Sequence, residues 1–174
     1  MKQKCVFLDR DGVLNKDRPD YVYKIEDIIV PEGVIDGLRQ LKAAGYLLIV
    51  ITNQAGIARG LYSRADVWKC YDYFQAQCGH LLDDLYFCPH HHDYNSRSLM
   101  RKPEALMLEK AMAKYNIDPA CSWMVGDRPT DVLAGQRAGI KTIQIVESAY
   151  DAIGTCFATN FREVAQCIIN ATVV

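Results

Sequence analysis

The stretch Cys5-Val6-Phe7-Leu8-Asp9-Arg10-Asp11-Gly12-Val13-Leu14 decides how the rest of this chain is read. Four apolar residues of strand character run into two carboxylates with one residue between them, and a glycine at position 12 lets the backbone turn at once. A strand without polar residues belongs to a sheet covered on both faces. Acids leaving the carboxyl end of such a strand stand where open α/β sheets bind ligands. Taken alone, D-x-D-G reads equally well as a solvated turn.

The pattern repeats further along. Tyr46 to Ile51 is a second apolar, β-branched run, and it ends in Thr52-Asn53-Gln54. Ser122 to Val125 is another, and it ends in Gly126-Asp127-Arg128-Pro129-Thr130-Asp131. Arg101-Lys102-Pro103 stands where a helical pattern begins and is expected to run to Tyr115. Between these segments Val34, Ile35, Leu38 and Leu41 recur at helical spacing, with Gly45 as the stop. Ser63-Arg-Ala-Asp66 reads as a capping box opening a helix that carries Val67, Tyr71, Phe74 and Cys78 on one face. Further strands are expected at Lys4–Leu8, Leu85–Cys88 and Lys141–Val146, and further helices at Thr130–Ala138 and Phe161–Ile169. Alternating strands and helices predict an α/β fold, a doubly wound, Rossmann-like parallel sheet with helices on both faces. Too few residues separate Asn15 from the first helix for a separate cap domain.

The chain has 174 residues, enough for one domain over 1–174 with a real core, and a formal net charge of −1. Its lysines and arginines are scattered, so nucleic acid is not an expected partner. The longest apolar runs are strand-length, which speaks against a membrane span. Met-Lys-Gln-Lys leads straight into the first strand, leaving no room for a signal peptide, and a cytoplasmic location is expected. The 7 cysteines are odd in number and form no C-x-x-C pair, so no disulfide framework is expected. The expected state is a monomer.

The order and spacing of these four segments resemble the motifs of the haloacid dehalogenase superfamily of phosphatases, over roughly Cys5 to Val146. That resemblance implies a role for each residue. Asp9 is the nucleophile that takes the phosphoryl group, and Asp11 is the acid and then the base. Thr52 and Lys102 hold phosphate oxygens. Asp9, Asp127 and the backbone carbonyl of Asp11 hold Mg²⁺, and Asp131 orients Lys102 or metal-bound water. Each residue alone also has a structural reading, as a turn, a solvated pair or a helix N-terminal acid. All four together at strand ends and helix starts are hard to explain that way.

Asn53-Gln-Ala-Gly-Ile-Ala-Arg-Gly60, Cys88-Pro-His-His91 and Arg101-Lys-Pro103 further resemble the histidinol-phosphatase and heptose-bisphosphate-phosphatase group. Tyr21-Val-Tyr-Lys-Ile25 and Gly56-Ile-Ala-Arg-Gly60 resemble most its branch acting on D-glycero-D-manno-heptose 1,7-bisphosphate at the 7-phosphate. The implied partner is a small phosphorylated sugar, with Asn53, Arg59 and Arg101 binding it and Arg101 on its distal phosphate. The alternative on this scaffold is histidinol-phosphate phosphatase. A phospho-accepting receiver-like signalling module is a remote reading, opposed by a third strand ending in Cys88-Pro89 with no aspartate. The group usually carries a structural zinc on C-x-H and a later C-x-C. Here Cys88 and His90 are present, but Ser98 and Met100 occupy the later positions, so no structural zinc is expected.

Overall fold

The computed structural model describes residues 2–148, 150 and 152–171. The elements in chain order are β1 (Cys5–Leu8), α1 (Val34–Ala43), β2 (Leu47–Asn53), α2 (Arg64–Cys78), β3 (Asp84–Cys88) and α3 (Leu106–Tyr115). They continue with β4 (Trp123–Gly126), α4 (Pro129–Arg137), β5 (Lys141–Ile145), β6 (Cys156–Ala158) and α5 (Phe161–Asn170). The strands form one sheet in the order β3-β2-β1-β4-β5-β6, and every neighbouring pair is parallel.

The period-2 geometry of β1 explains why all four of its residues are apolar. Val6 and Leu8 face a cluster with Leu38 and Leu41 of α1, Val67 and Phe74 of α2, and Val164 and Ile168 of α5. Cys5 and Phe7 face the opposite cluster, with Met107, Leu108 and Ala111 of α3 and Ala134 of α4. Both faces are therefore dry, as expected of a doubly wound sheet. Among the described residues no helix is long and apolar enough to cross a membrane.

Chain order reverses at β1. β2 and β3 lie on one side of it and β4, β5 and β6 on the other. Such a switch point leaves a crevice outside the strands' carboxyl ends, where Asp9 and Asp127 follow β1 and β4 and Thr52 is the last residue but one of β2.

The boundaries differ from expectation in instructive places. β2 runs through Thr52 and Asn53, because Thr52 and Asn53 pair with Phe87 and Cys88 of β3. The helix expected from Pro103 begins at Leu106, with Ala105 at its N-cap and a turn from Arg101 to Glu104 before it. α4 begins one residue early, with Pro129 in the first turn, where a proline has no amide hydrogen to waste. The capping box is present, with Ser63 accepting from the Asp66 amide. β6 had no sequence signal: it is three residues long and exposes Phe157 at the sheet edge.

Packing of α1 on α5 depends on Gly37. A Cβ there would lie 2.6 Å from Phe161 Cδ1 and 3.4 Å from Ala165 Cβ. Gly37→Ala gains about 1 kcal/mol of helix propensity but overpacks a buried contact at about 1–3 kcal/mol. The expected outcome in urea unfolding is a net loss of about 1 kcal/mol, with turnover unchanged because the site lies at the strand ends.

Candidate active site

A cavity of about 700 Å³ opens at the switch point, lined by Asp9, Asp11, Thr52, Arg101, Lys102 and Arg128 among others. Asp9 stands at its floor and is 7% exposed. Its amide donates to Val125 O at 2.9 Å, tying the end of β1 to β4. Its Oδ1 accepts from the Arg10 amide at 2.7 Å and lies 2.9 Å from Lys102 Nζ. The other oxygen, Oδ2, carries neither bond. Burial pushes the Asp9 carboxyl up to about 7; Lys102 pulls it down, and Asp131 and Asp11 push it further up.

Lys102 is buried and held from three sides. Nζ donates to Ile51 O at 2.7 Å and lies 2.7 Å from Asp131 Oδ1 and 2.9 Å from Asp9 Oδ1. Burial alone would pull this ammonium down, but Asp131 and Asp9 more than offset it, and it rises above the ordinary lysine range. Its backbone is fixed as well. Asn53 Nδ2 donates to Lys102 O and Lys102 N donates to Asn53 Oδ1, each at 3.0 Å. The Asn53 amide, expected at the substrate, is thus engaged in holding Lys102. Asp131 uses its second oxygen to accept from the Arg128 amide at 3.0 Å, closing the start of α4.

Asp127 is the contrasting acid. Its Oδ1 is buried and accepts no hydrogen bond. Burial first, then Asp131, push its carboxyl up to about 6, with Arg128 opposing. Oxygens of Asp9, Asp127 and Asp131 lie within 4.8 Å of one another. Two glycines allow this crowding. Gly12 has φ +87°, and a Cβ on it would sit 2.2 Å from Asp127 Oδ2. A Cβ on Gly126 would sit 2.1 Å from Asp131 Cβ. Three crowded carboxylates, two of them on one ammonium and the third with an orphaned oxygen, fit a hard divalent cation bound through oxygen.

Asp11 lies beside this cluster in a net of donors. Arg10 reaches it through Nε at 3.1 Å and Nη2 at 2.9 Å, Asn15 Nδ2 at 3.0 Å and Gln54 Nε2 at 3.1 Å. Thr52 is buried, and its Oγ1 accepts from Gln54 Nε2 at 2.9 Å.

The cationic lining of the cavity is unequal. Arg18 pairs with Asp20 and Asp27, and Arg128 pairs with Asp17 at 2.6 Å. Arg101 is half-buried and, among the described residues, has no carboxylate within ion-pair distance. The one hydrogen bond of its guanidinium among the described residues is a long one, 3.4 Å to His90 O. Burial, with Arg128 adding, pulls its guanidinium below the ordinary range. Arg59 does not line the cavity. It is exposed, donates to Tyr21 Oη at 3.2 Å and stacks near Tyr21 and Tyr94, so it buttresses Tyr21, which does line it.

Sequence reading missed Arg10, Asn15, Gln54 and Tyr62. Arg10 did carry a signal: a base wedged between two acids at a buried strand end has to be paired. Gln54 and Tyr62 carried none, since their meeting depends on how the loop after β2 folds back.

In the loop after β3 the C-x-H half of the group's zinc motif is followed by Ser98 and Met100 in place of the later cysteines, and the ligand atoms brought together there are those of His91, His92 and Asp93, within 4.8 Å of one another. Cys88 Sγ turns to His90 O at 3.8 Å, His90 Nδ1 meets Asn95 Nδ2 at 3.1 Å, and Ser98 Oγ accepts from the Met100 amide at 3.2 Å. Hydrogen bonds close it instead. Elemental analysis of the purified protein is expected to find no stoichiometric zinc; one zinc per chain would contradict this.

A doubly wound parallel sheet that gathers aspartates, a threonine and a clamped lysine at its switch point defines a phosphohydrolase of the haloacid dehalogenase-like class. Residues 99–152 match the family described as HAD-hydrolase-like. A D-glycero-β-D-manno-heptose-1,7-bisphosphate 7-phosphatase of Haemophilus ducreyi is 39% identical over 181 residues, covering 99% of this chain and 96% of the relative. A D-glycero-α-D-manno-heptose-1,7-bisphosphate 7-phosphatase of Campylobacter jejuni is 42% identical over 149 residues, 84% of each chain. Among solved structures, a D,D-heptose 1,7-bisphosphate phosphatase from B. bronchiseptica complexed with magnesium and phosphate superposes with a TM-score of 0.86. It shares 26% identity and covers 97% of this chain and 99% of that one. The chain belongs to the haloacid dehalogenase-like hydrolases, in the family of the heptose-1,7-bisphosphate 7-phosphatases, and is a phosphoric monoester hydrolase.

With Asp9 and Asp127 as its ligands, a bound cation would have a pH-dependent affinity. Below their pKa values of about 7 and about 6, Asp9 and Asp127 hold protons that an incoming cation must displace. Titration calorimetry with Mg²⁺ is therefore expected to show affinity rising from pH 5 to pH 8, with protons released to the buffer. Affinity independent of pH would mean that neither acid is a ligand.

Proposed function

We propose that this chain is a Mg²⁺-dependent phosphatase that removes the 7-phosphate of D-glycero-D-manno-heptose 1,7-bisphosphate through an aspartyl phosphate on Asp9. One arrangement carries the reading: a lysine-clamped Asp9 beside the orphaned Asp127 oxygen, with unpaired Arg101 lining the same cavity. Relatives named for the β and for the α anomer match at similar identity, so the proposal names the 7-phosphate and not the anomer.

Asp9 Oδ1 is anchored by Lys102 and the Arg10 amide, which leaves Oδ2 to attack phosphorus. The new bond is Asp9 Oδ2 to phosphorus, and the bond that breaks is phosphorus to the sugar oxygen. Asp11 gives its proton to that departing oxygen. A water then attacks the aspartyl phosphate, Asp11 takes the water's proton, and phosphate leaves with Asp9 restored. Lys102 and the Thr52 hydroxyl hold the non-bridging oxygens. Asp9, Asp127 and the backbone carbonyl of Asp11 would hold Mg²⁺, which when bound would supply positive charge between an anionic nucleophile and an anionic phosphate. Arg101 binds the distal phosphate, since a desolvated guanidinium without a carboxylate partner gains most from a dianion.

Asp9→Asn keeps the shape and loses the nucleophile, so turnover is expected to vanish while circular dichroism and thermal unfolding still report a folded chain. Near-wild-type turnover would remove Asp9 from the mechanism. Kinetics on a substrate panel should show a preference for heptose 1,7-bisphosphate over histidinol phosphate, and the reverse order would move the assignment to the latter. Arg101→Ala is expected to lower kcat/KM on the bisphosphate roughly ten- to a hundred-fold, the cost of a charged hydrogen bond of about 1.5–3 kcal/mol. A small aryl phosphate, which has no distal group, should be nearly unaffected. Equal losses on both would place Arg101 at the reacting phosphate.

A further inference from the structure

Gln54 is the residue through which the two ends of the proposed chemistry touch. It is the first residue after β2 and is 1% exposed. Its amide nitrogen donates to Cys88 O at 2.8 Å, which fixes its backbone on the end of β3. Its side chain has two hydrogens to donate and two lone pairs to fill, and the structure occupies all four. Nε2 donates to Asp11 Oδ2 at 3.1 Å and to Thr52 Oγ1 at 2.9 Å. Oε1 accepts from Tyr62 Oη at 2.7 Å and from Arg10 Nη2 at 3.3 Å.

These partners fix the amide in one orientation. Turned over, Oε1 would face the Asp11 carboxylate and Nε2 would face the Arg10 guanidinium, acceptor against acceptor and donor against donor. Tyr62 is itself held, since its ring stacks on Tyr23 with centroids 5.1 Å apart and meets Tyr21 edge-on at 6.0 Å. Gly56 lets the ring come this close, because a Cβ there would sit 2.0 Å from Tyr62 Cε1.

Two consequences follow for the reacting groups. Thr52 Oγ1 accepts from Gln54, so its single hydroxyl hydrogen is left to donate to a phosphate oxygen in the cavity that Thr52 lines. Asp11 has Oδ2 bound by Gln54 and Arg10 and Oδ1 by Asn15, which fixes the plane of its carboxyl group. Arg10 and Asn15 reach Asp11 but not Thr52; Gln54 reaches both.

We propose that Gln54 is a positioning residue for this reaction, aligning the acid–base carboxylate Asp11 with the phosphate-binding hydroxyl of Thr52, and that Tyr62 locks its amide in the working orientation. The inference rests on the phosphatase reading above, with Asp11 as proton donor.

The test compares esters whose leaving groups differ in their need for a proton. A sugar or other alkyl alkoxide cannot leave without one, whereas p-nitrophenolate can. Gln54→Met keeps the side chain's length and removes all four hydrogen bonds. Its kcat on an alkyl phosphate is expected to fall about ten- to a hundred-fold, with a several-fold smaller loss on p-nitrophenyl phosphate and a modest rise in KM for both. Tyr62→Phe removes only the lock and should shift the same ratio in the same direction by a few-fold. This second variant carries the test if Gln54→Met does not fold. Equal losses on both ester classes, in whichever variant folds, would mean a structural role and overturn the proposal, as would no loss at all. A wild-type protein inert towards every phosphate monoester would overturn the phosphatase reading itself, a result distinct from either.

Discussion

The ammonium of Lys102, buried between Asp9 and Asp131, is the interaction on which the rest of the site depends. A charge in this position is costly to bury and is retained because it is paired twice and donates to Ile51 O. Removing one partner of such a pair costs about 3–5 kcal/mol, because the other charge stays behind uncompensated. The pairing also sets the electrostatics of the cavity floor. Lys102 pairs with Asp9 and Asp131, while Arg128 lies 4.0 Å from Asp127. Burial first, then the mutual repulsion of the crowded acids, raises the Asp9 and Asp127 carboxyls. Asp127 Oδ1 is left without a donor among the described residues. The placement of Asp9 and the orphaned oxygen of Asp127 thus come from one crowded, buried group of acids.

The fold supplies that crowding at a defined place. β1 ends at the switch point, flanked by β2 and β4, so residues from three strand ends meet without any of them leaving the backbone's normal course. Lys102 arrives from outside the sheet, on the turn before α3, and the Asn53 amide stitches that turn to the end of β2. Close approach at Gly12 and Gly126 completes the packing, since any Cβ there would collide with the carboxylates themselves.

Around this floor the side chains fall into two groups by how fully they are paired. Lys102, Arg10, Arg18 and Arg128 are committed to carboxylates, which holds them in place. Arg101 is not, and it keeps its capacity to bind an anion. Gln54 stands apart again: uncharged, fully hydrogen-bonded and placed so that Asp11 and Thr52 share it. On the proposed reading, the rigidly paired groups would position one phosphate and the guanidinium without a carboxylate would recognise another.

The sequence by itself determined the sheet and most of the floor. Apolar runs that end in Asp9, Thr52 and Asp127 can only be buried strands with polar ends, and the helical spacing between them forces parallel crossovers. Strand ends of that kind meet at the switch point, which made Asp9, Thr52 and Asp127 legible together, and Lys102 and Asp131 joined them through the resemblance to the haloacid dehalogenase motifs. Only the tertiary structure decided which residues share hydrogen bonds. It assigned the Asn53 amide to Lys102, put Arg59 behind Tyr21 and brought Tyr62 to Gln54. It also added β6, whose three residues gain strand geometry only from pairing with β5. The division has a physical reason. Periodicity records which side of an element is dry, a property of the local chain, whereas a hydrogen bond between side chains depends on ångström distances set by the loops.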